Sequence, residues 1–186
     1  DIVEDQESIL DECLSVQFPA RTLNWHYRSR HESLIAFSND RYYENRLVTF
    51  PACEDRDLGV SYRYVPDGVY DRGKTRTNKI EAQALVAEVV ERLLDPARRH
   101  LSIGVVTFNQ TQQMLVQDLL DAARRKHPEI EFAFAEDKPD AVFVKNLENV
   151  QGDERDVILF SVGYGPDKKG RVHTNFGPLN RDGGER

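Results

Sequence analysis

Three short stretches of the sequence carry residue types whose chemistry exceeds what a scaffold needs. The first is Tyr27-Arg28-Ser29, inside the run LNWHYRSRHES over residues 23–33. A tyrosine ring can stack on a nucleobase, and an arginine fork can bind two phosphate oxygens at once. Both partners belong to a nucleotide. For a Tyr-Arg pair taken alone, a surface arginine beside a half-buried tyrosine is the simpler explanation.

The second stretch is VKNLENVQGDERDVILFS, residues 144–161. Gln151 and Gly152 are predicted at a turn, where a glycine lets the backbone approach a ligand closely. A carboxylate that follows, such as Glu154, can accept hydrogen bonds from ribose hydroxyls, as in dinucleotide-binding folds. The alternative is a plain turn whose solvated charges lead into a strand.

The third stretch is VVTFNQTQQ, residues 105–113, in which Thr107, Phe108 and Asn109 end an apolar strand. Ligands of open parallel sheets bind beyond the carboxyl ends of the strands. Hydroxyl, amide and backbone N–H groups at the start of a helix suit a phosphate backbone. Ordinary helix capping by threonine and asparagine is the alternative, and the sequence leaves it open.

The elements that must position these stretches alternate between helix and strand. Asn78 is predicted to cap a helix over 79–95, and Thr111 to open another over 111–126. The remaining predicted elements are helices over 7–16 and 31–43 and strands over 59–68, 101–109, 130–134, 141–144 and 156–164. Such alternation predicts an α/β fold with a mostly parallel central sheet flanked by helices. Leu23 and Trp25 are expected to pack inward.

The composition is that of an ordinary globular domain, since the 186 residues are 39% hydrophobic and 31% charged. A net charge of -7 argues against polyanion binding over the whole surface. It leaves room for a local basic face, and five arginines cluster early: Arg21, Arg28, Arg30, Arg41 and Arg46.

Cysteine and histidine usage predicts neither a disulfide nor a metal site. Cys13 and Cys53 are read as reduced thiols of a cytoplasmic protein. The five histidines, at positions 26, 31, 100, 127 and 173, have no metal-ligand spacing. No apolar run has the length of a membrane span. The sequence starts at DIVEDQESILDECL without a methionine and stops at NRDGGER, so we expect a piece of a longer protein.

Taken together and in order, three segments resemble the second RecA-like domain of superfamily 1 helicases. They are HYRSRHESLIAFSNDRYYENRLVTFP, IGVVTFNQTQQ and VKNLENVQGDERDVILFSVGYGP. The resemblance is to the branch that includes the nonsense-mediated-decay helicase and its bacterial relatives, and it covers Ser8 to Arg186. NFGPLNRDGGER is similar to the run that leads into the final RLNVAxTRA motif of bacterial members. The resemblance implies a tail or linker helix over 1–20 and a RecA-like domain over 21–186, truncated before its last motif.

The resemblance implies a nucleotide role for five residues. Arg28 resembles the catalytic arginine that reaches the γ-phosphate of ATP, and Tyr27 its companion on the nucleotide side. Glu154, beside Gly152, resembles the carboxylate that contacts the ribose. Gln151 would link the nucleotide cleft to the nucleic-acid track.

Five further residues are implied to contact nucleic acid. Thr107, Phe108 and Asn109 resemble strand-end residues that touch the nucleic-acid backbone, although TFN stands where TPY is usual. Asn146 stands where a threonine or serine contacts that backbone, and Asn149 follows on the same segment. DNA is favoured over RNA, and no membrane partner is implied.

ATP and Mg²⁺ are implied as cofactors of the parent, held mainly by the first RecA-like domain of the same chain. The 186 residues contain no G-x-x-x-x-G-K-[ST] loop and no acidic pair after an apolar strand, so we expect both upstream. This segment alone is therefore expected to be inactive. Two alternatives stay open: a non-catalytic RecA-like module that binds nucleic acid or protein, and a standalone nucleotidyl transferase, which would need its own phosphate loop.

Overall fold

A computed structural model describes residues 8–51, 59–135 and 137–180. The chain divides into two units, Asp1–Arg63 and Tyr64–Arg186. Cys53 and the last six residues of the run NFGPLNRDGGER lie outside the described residues.

The first unit contains short elements only. Helix α1 (Ile9–Ser15) begins at Ser8, whose hydroxyl accepts a hydrogen bond from the Asp11 N–H. Strand β1 (Trp25–His26) pairs in parallel with β2 (Val48–Thr49). Helix α2 (Ser33–Tyr42) lies between them in the chain. The predicted helices over 7–16 and 31–43 are therefore confirmed with shorter bounds.

The expectation that Leu23 and Trp25 pack inward is wrong. Their side chains are 89% and 65% exposed. Trp25 contacts Phe50 with its ring centroid 5.8 Å away, and no described side chain of this unit is fully buried. The two-residue strands β1 and β2 are too short to form a layer with a buried face.

Two of the predicted strands are absent. Residues 60–64 make no strand pairing, and Val60, Tyr62 and Tyr64 are exposed, so their alternation follows no buried face. Residues Pro128–Ala133 form a 3₁₀ helix instead of the strand predicted over 130–134. Pro128 suits the first helical position, and the three-residue period places buried Ile130 and Ala133 on one side.

The second unit is built on a three-stranded parallel sheet in the order β4-β3-β5, with β3 (Ile103–Thr107) central. Strand β4 is Phe143–Asn146 and β5 is Val157–Ser161. All five residues of β3 are buried. That is the pattern of a strand covered on both faces, and it explains the apolar run LSIGVV.

Two helices cover the sheet face that carries Ile103 and Val105. Helix α3 (Lys79–Leu94) and helix α4 (Gln110–Lys126) meet this face with their apolar stripes. The stripes have helical spacing and consist of Ala82, Val86, Val89 and Leu93 on α3 and Val116 and Leu120 on α4. The predicted α/β architecture is confirmed.

Gly104 tests how tightly this sheet is packed. A Cβ atom at this position would lie 2.5 Å from Phe143 Cζ and 2.8 Å from Ile158 Cδ1. We expect Gly104→Ala to lower the free energy of unfolding by about 1–3 kcal/mol, as overpacked cores do. Urea denaturation measures this, with Gly73→Ala as control because nothing lies within 4 Å of that Cβ position. Equal midpoints for the two variants would contradict the packing.

Candidate nucleotide and nucleic-acid site

The carboxyl ends of the three parallel strands meet at one edge of the sheet. Thr107 at the end of β3 is in register with Asn146 of β4 on one side and Ser161 of β5 on the other. Helix α4 starts three residues after Thr107. The structure thus brings the predicted residues Thr107, Phe108, Asn109 and Asn146 to the edge where open parallel sheets bind ligands.

A buried polar network holds this edge together, and its centre is Gln112. This side chain is fully buried in the first turn of α4. Its Nε2 donates to Ser161 Oγ (3.0 Å) and to the Asn78 carbonyl (3.1 Å), and its Oε1 accepts from the Asn78 N–H (2.9 Å). Gln112 therefore joins the end of β5 to the start of α3.

Glu81 completes the network from α3. Its Oε1 accepts hydrogen bonds from Ser161 Oγ (2.8 Å) and from the Gly163 N–H (2.9 Å). Its Oε2 accepts from Asn78 Nδ2 (3.2 Å), and its own N–H donates to Asn78 Oδ1, which confirms Asn78 as the helix cap. Gly163 has φ +72°, a left-handed backbone that favours glycine and directs its N–H to this carboxylate.

The sequence interpretation did not single out Gln112, Glu81 or Ser161. The sequence nonetheless contains a signal for Gln112. Gln112 lies four residues before Val116 and eight before Leu120, both buried, so it occupies the apolar stripe of α4. A polar residue in such a stripe must find partners inside the protein.

Thr107 and Asn109 use side-chain atoms to shape the strand-to-helix turn. Thr107 is fully buried, and its Oγ1 donates to the Asn109 carbonyl at 3.1 Å. Asn109 Oδ1 accepts from the Gln112 N–H (2.8 Å) and from Thr111 Oγ1 (2.7 Å). Asn109 is thus the N-cap of α4, which begins at Gln110, one residue before the predicted start at Thr111. Phe108 packs edge-on against Phe160 with ring centroids 6.3 Å apart.

Asn146 and Asn149 occupy different environments. Asn146 is half-buried at the end of β4, and its Oδ1 is buried without a hydrogen-bond partner in the described part of the chain. Asn149 is exposed at the end of a 3₁₀ helix, Leu147–Asn149. A ligand at the edge would reach Asn149 more directly than Asn146.

The predicted turn at Gln151-Gly152 is present. The Asp153 N–H donates to the Val150 carbonyl at 3.1 Å, and Gly152 has φ +87° with open space where a Cβ would stand. Lys145 Nζ donates to Asp153 Oδ2 at 2.6 Å, which fastens the turn beside β4. Gln151 and Gly152 are both exposed on this turn.

The charge run after the turn is tied into the scaffold at Asp153, Arg155 and Asp156. Asp153 pairs with Lys145, and Asp156 Oδ2 accepts from the Ser102 N–H and hydroxyl. The Arg155 guanidinium lies 4.8 Å from the Phe143 ring centroid and donates to the Ala141 carbonyl. Glu154 is the exposed carboxylate between these anchored neighbours. Asp153 and Arg155 are half-buried, whereas Glu154 and Asp156 are exposed, so the charge run is solvated only in part.

Tyr27 and Arg28 belong to the first unit, at the end of β1. Ser29 folds back on the residue before them: its N–H donates to His26 Nε2 (3.2 Å), and the Ser29 hydroxyl lies 2.7 Å from the same nitrogen. This clasp holds Tyr27 and Arg28 in a tight bend. The Tyr27 ring is 79% exposed and Arg28 is exposed.

The chemistry of these two side chains fits a nucleotide such as ATP, because one offers an aromatic face and the other a bidentate phosphate donor. In ranges 8–51, 59–135 and 137–180, no group of three or more His, Cys, Asp or Glu side chains could hold a metal ion. Within the same ranges, no helix combines the length and apolar character of a membrane span.

Comparison with known proteins shows the family to which the chain belongs. A family model described as an AAA domain matches residues 6–172. The chain belongs to the AAA domain family. Its α/β fold with a parallel sheet is consistent with the predicted RecA-like, P-loop NTPase-like class.

Two curated relatives of this AAA domain come from mycoplasmas. An uncharacterized ATP-dependent helicase of Mycoplasma pneumoniae is 35% identical over 168 residues, which is 88% of this chain. An uncharacterized ATP-dependent helicase of Mycoplasma genitalium is 36% identical over the same share. The chain spans only 14% of the length of each relative.

Proposed function

We propose that this AAA domain is the second RecA-like domain of an ATP-dependent superfamily 1 helicase. The observation that carries the proposal is the carboxyl edge of the sheet, where Thr107, Asn146 and Ser161 end in register beside the start of α4. The helicase names of both mycoplasma relatives support the activity. Within superfamily 1, the order of the three resembling segments supports the branch of the nonsense-mediated-decay helicase.

The nucleotide part of the proposal assigns the exposed residues. Arg28 reaches the γ-phosphate of ATP as an arginine finger, and Tyr27 lies against the nucleotide. Gly152 permits close approach of the backbone, and Glu154 accepts from the ribose hydroxyls. Hydrolysis of ATP drives the cycle. ATP and Mg²⁺ are held mainly by the first RecA-like domain of the parent.

The nucleic-acid part assigns the strand ends. Thr107, Phe108, Asn109, Asn146 and Asn149 form the track, with the exposed Asn149 and the edge residue Asn109 nearest to a bound strand. Backbone contacts of this kind position a strand without reading its sequence. Gln151 follows Asn149 by two residues and joins the track to the nucleotide-facing turn. DNA is the favoured strand.

The remaining parts of the proposal concern the parent protein. Residues 1–20 are a tail or linker helix and 21–186 the RecA-like domain. The parent is cytoplasmic, and its first RecA-like domain is the direct partner of this one. Closure of the two domains on ATP completes the catalytic site, so the segment alone is inactive.

Strand-stimulated ATP hydrolysis by the full-length protein tests the proposal. We expect single-stranded DNA to raise the rate of phosphate release, with RNA as a matched second strand of equal length. Hydrolysis with either strand supports a motor. Strand binding without any ATP hydrolysis would instead support the non-catalytic module. Nucleotidyl transfer to a substrate would support the transferase.

A further inference from the structure

A cavity lies beside the network-held edge, on the side of β5. It has a volume of about 520 Å³ and is bounded by the segment 70–76, the start of α4 and the segment 164–177. Gln110 and Thr111, the first two residues of α4, contribute to its lining. The N–H groups at these positions have no acceptor within the helix, and the start of a helix carries partial positive charge.

Arg72 lines this cavity and is held in place. Its Nη1 donates to His173 Nδ1 at 2.7 Å. His173 Nε2 lies 3.2 Å from Asp167 Oδ2, so the ring is the neutral tautomer that donates to Asp167 and accepts from Arg72. Hydrogen bonds, first of all from the Arg171 N–H, lower the pKa of Asp167 to about 2. The carboxylate is therefore charged at neutral pH, and it holds the His173 ring in the orientation that contacts Arg72.

Arg76 lines the same cavity from a left-handed backbone. Its φ is +56°, which is uncommon for a residue other than glycine. The Arg76 N–H donates to the Asp71 carbonyl at 2.9 Å, and the Arg76 carbonyl oxygen lies 3.0 Å from Thr111 Oγ1. Within the described part of the chain, neither Arg72 nor Arg76 forms an ion pair with a carboxylate. Both guanidinium groups thus keep donors for an anion.

Two tyrosine rings, Tyr70 and Tyr164, form an apolar wall of the cavity. Tyr70 and Tyr164 pack edge-to-face with centroids 5.3 Å apart. Burial raises the pKa of the Tyr70 hydroxyl, whereas Arg76 and Arg72 oppose that shift, so both positive charges lie close to this ring. The cavity therefore combines cationic donors with an aromatic surface, the two features of single-strand binding sites.

We propose that this cavity binds a phosphodiester of single-stranded nucleic acid, with Arg72 and Arg76 as the phosphate-binding residues. The inference rests on the proposed function, because it extends the strand track. The track and the cavity share Asn109 and the first turn of α4. A strand that follows the carboxyl edge from Asn149 past Asn109 reaches the arginines next.

The test is the salt dependence of single-strand affinity, measured with a fluorescent oligonucleotide and the full-length protein. Each phosphate contact contributes about 0.7 to the slope of log K against log salt for single strands. The variant R72A/R76G is expected to lose about 0.7–1.4 of that slope, glycine being chosen because it tolerates the positive φ. Thermal unfolding checks that the variant folds. If it does not, Arg76→Gly alone is expected to lose about 0.7.

The matched control is K168A/K169A. It removes the same number of positive charges from the neighbouring segment 164–177, and both lysines are exposed and lie outside the lining of the cavity. We expect its slope to remain within error of the wild type. An R72A/R76G slope equal to that of the control would overturn the inference and leave the proposed function standing. A wild-type protein that binds no single strand would overturn both.

Discussion

Arg28→Ala in the full-length protein is expected to lower the rate of ATP hydrolysis by about 10³-fold or more, the range measured for other arginine fingers. Single-strand affinity is expected to stay close to wild type, because the strand-contacting residues proposed above lie in the second unit and Arg28 in the first. A finger acts on charge that develops in the transition state, so its loss lowers turnover more than nucleotide binding.

The backbone bend around Arg28 is held by His26 and Ser29. Arg28 is exposed in the bend that the His26–Ser29 clasp closes, and the clasp uses no Arg28 side-chain atom. Removing the guanidinium therefore leaves both hydrogen bonds of the clasp in place. Arg28→Lys keeps the charge but loses the planar fork, and we expect it to recover only part of the turnover.

Arg41→Ala is the matched control for Arg28→Ala. Arg41 is an exposed arginine of the same unit whose ion pair is with the adjacent Asp40 at 3.7 Å. Its removal changes the net charge equally and should leave hydrolysis within a few-fold of wild type. If Arg28→Ala also retained turnover within a few-fold, the finger assignment would be wrong.

The sequence predicted the long elements well because their signals are local. Helices α3 and α4 each show apolar residues at helical spacing, and Asn78 and Asn109 provide caps at their starts. Strand β3 is a short apolar run between polar ends. Parallel pairing then follows from the alternation of helix and strand, which is why the strand-end residues could be expected at one edge.

The predictions of the short elements failed because a short local signal fits more than one structure. Residues 60–64 show strand-like alternation but have no partner strand, and 130–134 is apolar but follows Pro128. Five or six residues of pattern cannot distinguish a strand from a 3₁₀ turn. Likewise, Leu23 and Trp25 are apolar, and only the structure shows that both are mostly exposed.

The sequence singled out exposed motif residues as the candidate site and missed the buried polar network at the edge of the sheet. Tyr27, Arg28, Gly152 and Glu154 are exposed side chains or turns that a reader of motifs can single out. The network of Gln112 joins residues 34 and 49 positions apart, and Ser161 meets Glu81 across 80 positions. Such contacts form where helix starts and strand ends meet in the fold, and the local spacing of residues does not reveal them.

Gln112→Ala is expected to cause the largest loss of stability, because it removes three buried hydrogen bonds at once. The Asn78 N–H loses an acceptor in a residue that is only 4% exposed, and Ser161 loses a donor to its hydroxyl. Each buried polar group left unsatisfied costs about 1–3 kcal/mol, so we expect a loss of roughly 3–5 kcal/mol. Thermal unfolding of the 186-residue chain should show a Tm roughly 6–20 °C lower.

Gln110→Ala is the matched control, since it removes the same side chain two positions earlier on the exposed surface of α4. Its Tm is expected to change by no more than about 1 °C. Gln112→Glu tests whether the volume of this side chain or its hydrogen bonds stabilise the edge. Glutamate keeps the volume but places a second carboxylate beside Ser161, whose hydroxyl already donates to Glu81. We expect it to destabilise the chain at least as much as alanine at neutral pH. A Gln112→Glu variant as stable as wild type would mean that volume, rather than the polar network, holds the edge of the sheet together.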